Sequence, residues 1–333
     1  MQNDTADVAD ISDLASVGRA FSTISKSSGS ISILGAMNAD YSVRTKRLPQ
    51  AGETVIGGPI QVFSGGKSGN QAAAAALIGG HVKMFGYVGS DGNGDFLLEK
   101  LSEAGVDISG INRTSEPSGS TVITVDDDGE NTIVYSPGSN SLLSATYVRS
   151  MRSQITASSV LGLCLESPIN PVQEAAVLCH QMGMTVLLND SPFTANLPSS
   201  LINACDILLV NEHELAQLLN ISDVVNFNSD WGNIANRLVS FGFNRTIVTL
   251  GSHGSVVVDH GSIERIRALC VQTVDTTGCG DAYMGAVLAG LAAGLNLLDS
   301  AKIGTVVSAY AAMGNGAQAS YGTCSQIEFK LLS

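Results

Sequence analysis

The sequence predicts an α/β fold: a mostly parallel central sheet between two layers of helices, a three-layer α/β/α arrangement, with a small antiparallel β lid. Three observations carry this expectation. From Val160 onward, apolar strand-like runs alternate with helix-like ones. Before that point, short alternating segments rich in turn residues break the rhythm. Apolar residues make up 44% of 333 positions against 14% charged, enough to cover both faces of a sheet.

Residues 1–29 are rich in Ser, Asp and Ala, with no basic start and no apolar stretch. They read as a flexible extension, not a secretory signal. "SISILGAM" (Ser30–Met37) is a buried strand with Asn38 and Asp40 at its end. "VIGGPIQVF" and Ser120–Tyr135 alternate like exposed antiparallel strands, with the acidic Asp126–Asp128 at a hairpin tip. These define lid segments at about 41–63 and 118–135. Then "VLGLCLE", "MTVLLND" and "CDILLV" read as strands, with "PVQEAAVLCHQMG" and "NEHELAQLLN" as helices among them. "RTIVTLGSHGSVVVD" supplies two more strands, and two small-residue helices follow around Asp281–Leu291 and Ala301–Met313. No repeat or long linker divides 30–333, which reads as a single domain. Ala282–Leu298 carries no charge, but it is short for a membrane span and interrupted by Gly285, Gly290 and Gly294, so it is expected as a buried helix.

A net charge of −13 without any basic stripe argues against a nucleic-acid partner. Six cysteines (164, 179, 205, 270, 279 and 324) form no CxxC pair, and the histidines lack metal-ligand spacing. Buried thiols in a reducing cytoplasm are the expected state.

The chemistry concentrates in two stretches. In "VDTTGCGDAYMGAVLAG" (Val274–Gly290), glycines on either side of Cys279 allow a sharp turn that points successive N–H groups one way, just where a helix begins. Such a turn holds an anion. Asp281 beside it suits a general base that deprotonates an alcohol while the turn stabilises charge on a transferred phosphoryl group; an N-cap is the simpler alternative for that aspartate. In "SGGKSGNQAAAAALIGG" (Ser64–Gly80), Gly66-Lys67-Ser68 imitates a P-loop, but the required glycine five positions before Gly66 is Gln61. Gly65 and Gly66 instead allow close backbone approach, with Lys67 and Asn70 as donors. Asn38 and Asp40, two residues apart, and Glu166 at a strand's C-terminal end add the polar groups of a polyol pocket.

"GGKSGNQAAAA" and "DTTGCGDAYMGA" together resemble the two signatures of the PfkB-type carbohydrate kinases. The resemblance runs from about Ser30 to Ser320. "NAD", "AGETV", "LESP", "VNEHEL", "TLGSHG" and "GAQAS" bring it nearest to the family's ribose kinases. It implies ATP-dependent transfer to the primary 5-hydroxyl of D-ribose, held by Asn38, Asp40, Gly66, Lys67, Asn70 and Glu166, with Asp281 as the base. It implies an anion hole from the N–H groups of Gly278, Cys279 and Gly280. It places ATP and Mg²⁺ at Asn211, Glu214, Thr249, Gly251, Gly254, Gly280 and Thr305. It implies a monovalent cation activator, K⁺, at Asp275, Thr277, Ala311, Gly314, Gly316 and Ser320. It also implies a lid that excludes water and pairs between the subunits of a homodimer.

Some positions depart from the family pattern. Cys279 stands where alanine is usual, so sensitivity to thiol reagents is expected. Thr305 stands where Asn or His is common near the adenine, and "LNDSP" replaces "LNPAP". The acceptor stays open between ribose and deoxyribose, another sugar, or a nucleoside such as adenosine or pseudouridine. Lys67 and Glu166 favour a free sugar, because they crowd the region where a nucleoside carries its base. A sugar- or nucleotide-binding regulator is the non-enzyme alternative, and the intact Asp281 turn speaks against it.

Overall fold

The computed structural model describes residues 8–9, 14–222 and 224–332. Strands are numbered along the chain: β1 Val8–Ala9, β2 Ser30–Leu34, β3 Asn38–Arg44, β4 Gln61–Gly65, β5 His81–Gly89, β6 Asp107–Thr114, β7 Gly119–Val125, β8 Asn131–Ser136, β9 Val160–Cys164, β10 Thr185–Asn189, β11 Ile207–Asn211, β12 Arg245–Thr249, β13 Ser255–Asp259 and β14 Ser262–Ile266. Ten form one sheet in the order β1-β14-β13-β12-β11-β10-β9-β2-β5-β6. Its neighbours run parallel except at β12–β13 and β13–β14.

The central strands β9, β10 and β11 are mostly apolar because both faces are covered. In β10, Leu187 joins one core while Val186 and Leu188 join the other, as a period of two requires. The first core is roofed by helices Lys67–Leu77, Cys279–Ala292 and Leu297–Ala311, and the second by Ile169–Gln181, Glu212–Leu218 and Trp231–Phe241. Among the described residues, no helix is long and apolar enough to cross a membrane. The uncharged run after Asp281 forms a buried helix in the first core, ending at Ala292.

Chain direction across the sheet reverses at the β9–β2 boundary. From β2 the chain moves outward to β5 and β6, and from β9 it moves the other way through β10, β11 and β12. Ligands of open α/β sheets sit outside the carboxyl ends of strands at such a switch point, and Asn38, Asp40 and Glu166 follow β2 and β9 there.

The lid is a separate four-stranded sheet, β4-β3-β7-β8. Its two outer pairings are antiparallel and the central β3–β7 pairing is parallel. Three details differ from expectation. The central-sheet strand ends at Leu34, so Asn38 and Asp40 begin the lid strand β3 and do not close a core strand. Of "VIGGPIQVF", only the last residues enter a strand, and Gly57 makes an isolated bridge to Thr45, because two glycines and a proline interrupt the ladder. Finally, residues 14–29 are not a flexible extension. Leu14–Lys26 is a helix whose Val17, Phe21 and Ile24 are each 2% exposed, and Val8–Ala9 adds an edge strand beside β14. Spacings of four and three residues put those side chains on one stripe, which the first core covers. Residues 1–7 and 10–13 of that expectation lie outside the described residues.

Candidate active site

Two glycine turns bring the two signature helices together. Gly66 caps the helix Lys67–Leu77 with φ +84°, and a Cβ there would lie 2.8 Å from backbone atoms of Ala36, Met37 and Asn38. Gly278 caps Cys279–Ala292 in the left-handed region, φ +76°. The helices then approach so closely that a Cβ on Gly285 would meet the Gln71 carbonyl oxygen at 2.5 Å. That contact carries Asp281, in the first turn of one helix, onto Asn70 and Gln71 in the first turns of the other.

Asp281 is 7% exposed. Asn70 Nδ2 donates to its Oδ2 at 2.9 Å, and Gln71 Nε2 donates to its Oδ1 at 3.1 Å. The carboxylate is not bonded as an N-cap; Gly278 occupies the cap position. Asp281, Lys67, Gly278 and Gly280 line a cavity of about 120 Å³ with Asn189, Ser191, Asn211, Glu214 and Thr249.

Of the three expected anion-hole donors, Gly278 and Gly280 keep their N–H groups free of any acceptor among the described residues, and so does Asp281. Cys279 differs: its N–H donates to the Thr276 carbonyl at 3.2 Å and closes the turn. Burial, with Asp275 and Asp281 adding to it, pushes Cys279 up to about 11, so it is a neutral thiol and a weak nucleophile near pH 7. The exposed cysteine in this region is Cys270, on the wall of the adjoining groove.

On the sugar side, Lys67 N–H donates to Glu166 Oε2 at 2.8 Å. Asp40 Oδ1 accepts from Thr121 at 2.6 Å, and Asn38 Oδ1 accepts from Asn140 at 2.8 Å. A Cβ on Gly65 would meet Asp40 Oδ2 at 1.9 Å, so any larger residue there would push the carboxyl out of place. Asp40, Glu166 and Asp281 lie near enough to one another to interact, and Lys67 is the cation that Asp281 and Glu166 act on. Asp281, and more weakly Glu166, hold the Lys67 ammonium above its ordinary value against its burial. Burial pushes Glu166 up to about 7, the Lys67 N–H and charge pull it down, and Asp281 and Asp40 push it up again. Asp40 is raised by burial, with the Thr121 bond opposing and Asp281 adding.

These raised carboxyls set a stability trend. Glu166 rises from 4.5 to about 7, and the buried Asp190 from 3.8 to about 7, chiefly by burial. Each folded group keeps its proton where the unfolded chain has released it. Their contribution is whole below about pH 4 and is lost as pH rises through about 7. The carboxylates lowered by hydrogen bonds, such as Asp91 and Asp275, act with opposite sign and in a more acidic window. The ligand-free protein should thus show a melting temperature that falls between pH 4.5 and 7.5. Glu166→Gln and Asp190→Asn should each flatten the slope; an unchanged slope in both would reject these two groups as its source.

The nucleotide-side residues line a groove of about 560 Å³ that shares Asn211, Thr249 and Gly280 with the smaller cavity. Gly251, Gly254 and Thr305 are on its walls. Thr305 donates its hydroxyl to the Ala301 carbonyl, 3.1 Å away. Glu214 is in the smaller cavity only. Asn211 and Glu214 form a capping box: Asn211 Oδ1 accepts from the Glu214 N–H at 2.8 Å, and Glu214 Oε2 accepts from the Asn211 N–H at 2.9 Å. This leaves the Asn211 amide N–H₂ and one Glu214 oxygen to face the cavity.

The proposed cation ligands come from two adjoining loops. Gly316 N–H donates to Asp275 Oδ2 at 2.9 Å, and Val274 N–H donates to the Ala312 carbonyl at 2.8 Å. Burial raises Asp275, but the bonds from Gly316 and Thr277 outweigh it, and the carboxylate lies below its usual range. The carbonyls of Thr277, Gly314 and Gly316 accept no hydrogen bond among the described residues, whereas that of Ala311 accepts from Gly314 at 3.1 Å. Ser320 Oγ donates to the Ala317 carbonyl at 2.9 Å. An anionic carboxylate with unspent carbonyl oxygens is a donor set of the kind a hard cation takes.

Several contacts were not singled out from sequence: Gln71 on Asp281, Gln318 on Asn70 (3.1 Å), Asn140 on Asn38 and Thr121 on Asp40. Gln71 had a signal, a large amide at the head of a run of alanines. Asn140 and Gln318 come from loops far along the chain and had none.

Comparison with known proteins decides the family: residues 28–324 match the pfkB family carbohydrate kinase. The chain belongs to that family. This pfkB-family chain is 34% identical to ribokinase of Schizosaccharomyces pombe, over 90% of its own length and 96% of the relative's. It is 33% identical to ribokinase of Haemophilus influenzae, over 88% and 95%. It superposes on Arabidopsis thaliana ribokinase complexed with ribose and ATP with a TM-score of 0.85 at 26% identity, covering 92% of this chain and 99% of that one. The pfkB-family chain is an ATP-dependent sugar kinase with the ribokinase-like fold.

Proposed function

We propose that the enzyme transfers the γ-phosphoryl group of ATP to the primary 5-hydroxyl of D-ribose. One observation carries this reading: Asp281 shares a cavity with Lys67 and with the free N–H groups of Gly278 and Gly280, and Asn70 joins it to the sugar-side residues. Asn38, Asp40, Gly66, Lys67, Asn70 and Glu166 hold the sugar. Asp281 takes the proton from the 5-hydroxyl, whose oxygen forms the new bond to phosphorus as the bond to ADP breaks. The turn's N–H groups and Lys67 meet the charge on the transferred group. Thr249, Gly251, Gly254 and Thr305 hold the nucleotide, and the lid excludes water.

Asn211 and Glu214 would hold Mg²⁺ with the phosphates; the ion supplies charge neutralisation when bound. Asp275, Thr277, Gly314 and Gly316, with Ala311 and Ser320, would hold K⁺, whose charge would order the loop that carries the anion hole. The lid supports pairing with a second copy. Val122 and Val134 are both more than half exposed and oppose each other across β7 and β8 on one face of it, an apolar pair of the kind that marks an interface. Val134→Lys should then lower the sedimenting mass, and a wild-type monomer would reject the dimer.

The reading is tested by ADP release from Mg·ATP with K⁺ across ribose, deoxyribose, fructose, adenosine and pseudouridine. Ribose should give the highest kcat/KM. A nucleoside turned over faster would retain the phosphoryl chemistry and reject the acceptor.

A further inference from the structure

Gln71 lies in the first core with no exposed surface, and only one end of its amide is satisfied. Nε2 donates to Asp281 Oδ1, while Oε1 has no hydrogen-bond partner. The opposite amide orientation would set Oε1 against a carboxylate oxygen, so the donor faces Asp281. A buried acceptor left unpaired destabilises a fold, and an apolar side chain of the same length would remove that defect. Packing alone therefore does not explain an amide in a helix whose next four residues are Ala72, Ala73, Ala74 and Ala75.

The two amides on Asp281 have different surroundings. Asn70 has a second partner, since its Oδ1 accepts from Gln318 Nε2 at 3.1 Å, and Gln318 Oε1 in turn accepts from Ser64 Oγ of β4 at 2.8 Å. It belongs to the sugar side and to the lid. When the substrate hydroxyl comes to Asp281, the Asn70 bond to Oδ2 is the one it must replace. Gln71 is fully buried, lines neither the cavity nor the nucleotide groove, and holds Oδ1.

We propose that Gln71 is the positioning residue of the base: it fixes the carboxylate plane of Asp281 through Oδ1, leaving Oδ2 to receive the proton. This rests on Asp281 being the base. The role is orientation, and a misplacement of about 1 Å at such a group can cost on the order of 100-fold in rate.

The test compares Gln71→Met, Asp281→Asn and the double variant in steady-state assays, using the acceptor that the wild type turns over best, alongside melting temperatures. Gln71→Met should lower kcat by about 10- to 100-fold. The KM values for sugar and ATP should change by less than about twofold. The variant should still fold with a cooperative melt, since losing the unpaired Oε1 of Gln71 offsets part of the cost of leaving Asp281 Oδ1 without its donor. Added to Asp281→Asn, it should cause no further loss, because the group it orients is gone. Gln71→Asn, whose amide stops one methylene short, should fail like Gln71→Met. Wild-type kcat in Gln71→Met overturns the assignment. So does an equal extra loss in the Asp281→Asn background, or failure of both Gln71 variants to fold, since Gln71 would then act through packing. Full turnover by Asp281→Asn is a different failure: it removes the base itself, whatever Gln71→Met does.

Discussion

Asp281→Asn is expected to lose about a thousandfold or more in kcat while binding sugar and Mg·ATP within a few-fold of wild type. General-base catalysis by a placed side chain accounts for about 10²–10⁴ in rate, and Asp281 lines the cavity together with the N–H donors of Gly278 and Gly280, which are free among the described residues. The fold should survive. The new amide has the same shape and keeps one oxygen for Asn70 or Gln71, and its added N–H₂ can find the unpaired Oε1 of Gln71 if that side chain turns. Loss of the charge also lets Lys67 relax toward its ordinary value, since Asp281 is the main cause of its rise. Isothermal titration with sugar, and ADP release under saturating substrates, separate the two effects: kcat and kcat/KM should fall together with little change in KM. Turnover within tenfold of wild type would move the base elsewhere, with Asp40 and Glu166 the nearest carboxyls.

What the sequence made legible follows from where each signal is local. The anion turn is written in adjacent residues, Gly278 to Asp281, because a helix N-terminus built on glycines is a local object. The strands β9 to β13 are equally local, each a short apolar run bounded by turn residues; Asn211 and Glu214 came only through the family resemblance, and their capping box is seen in the structure. The site's supports are not. Asn140 reaches Asn38 from 102 positions away and Gln318 reaches Asn70 from 248, so no window of sequence contains either pair. The Cys279 N–H was counted as a free donor because periodicity cannot say which amide closes a turn. The N-terminal helix is a different kind of miss. Val17, Phe21 and Ile24 already carried the helical spacing, but the surrounding Ser and Asp hid a stripe only three residues long. Asn38 and Asp40 were assigned to the wrong strand for a third reason: Gly35 to Met37 let the chain leave the core sheet for the lid within three residues, too short a break to show in the sequence.

The turn can be tested at two glycines whose surroundings differ. Gly278 is left-handed, and a Cβ on it would lie 2.6 Å from both Ala317 Cβ and Tyr321 Oη. Tyr321 Oη donates to the Gly278 carbonyl at 2.8 Å, so the neighbouring loop fastens this turn from behind. Gly278→Ala must strain the backbone, at about 1–2 kcal/mol for the left-handed region alone, and push that loop away. Its N–H then points elsewhere, and kcat should fall by about 10²–10³, the range for loss of one oxyanion-type donor, with a lower melting temperature. At Gly280, by contrast, a Cβ meets nothing within 4 Å and φ is not positive. Gly280→Ala should melt like wild type and bind sugar normally, yet lose turnover or ATP affinity, because its methyl enters the space where the cavity and the nucleotide groove meet. The contrast separates a folding element from a phosphate site. If Gly280→Ala is fully active in ADP release, the phosphate does not pass against this turn; if it fails while folded and still binds sugar, the free N–H groups are where the transferred group is held.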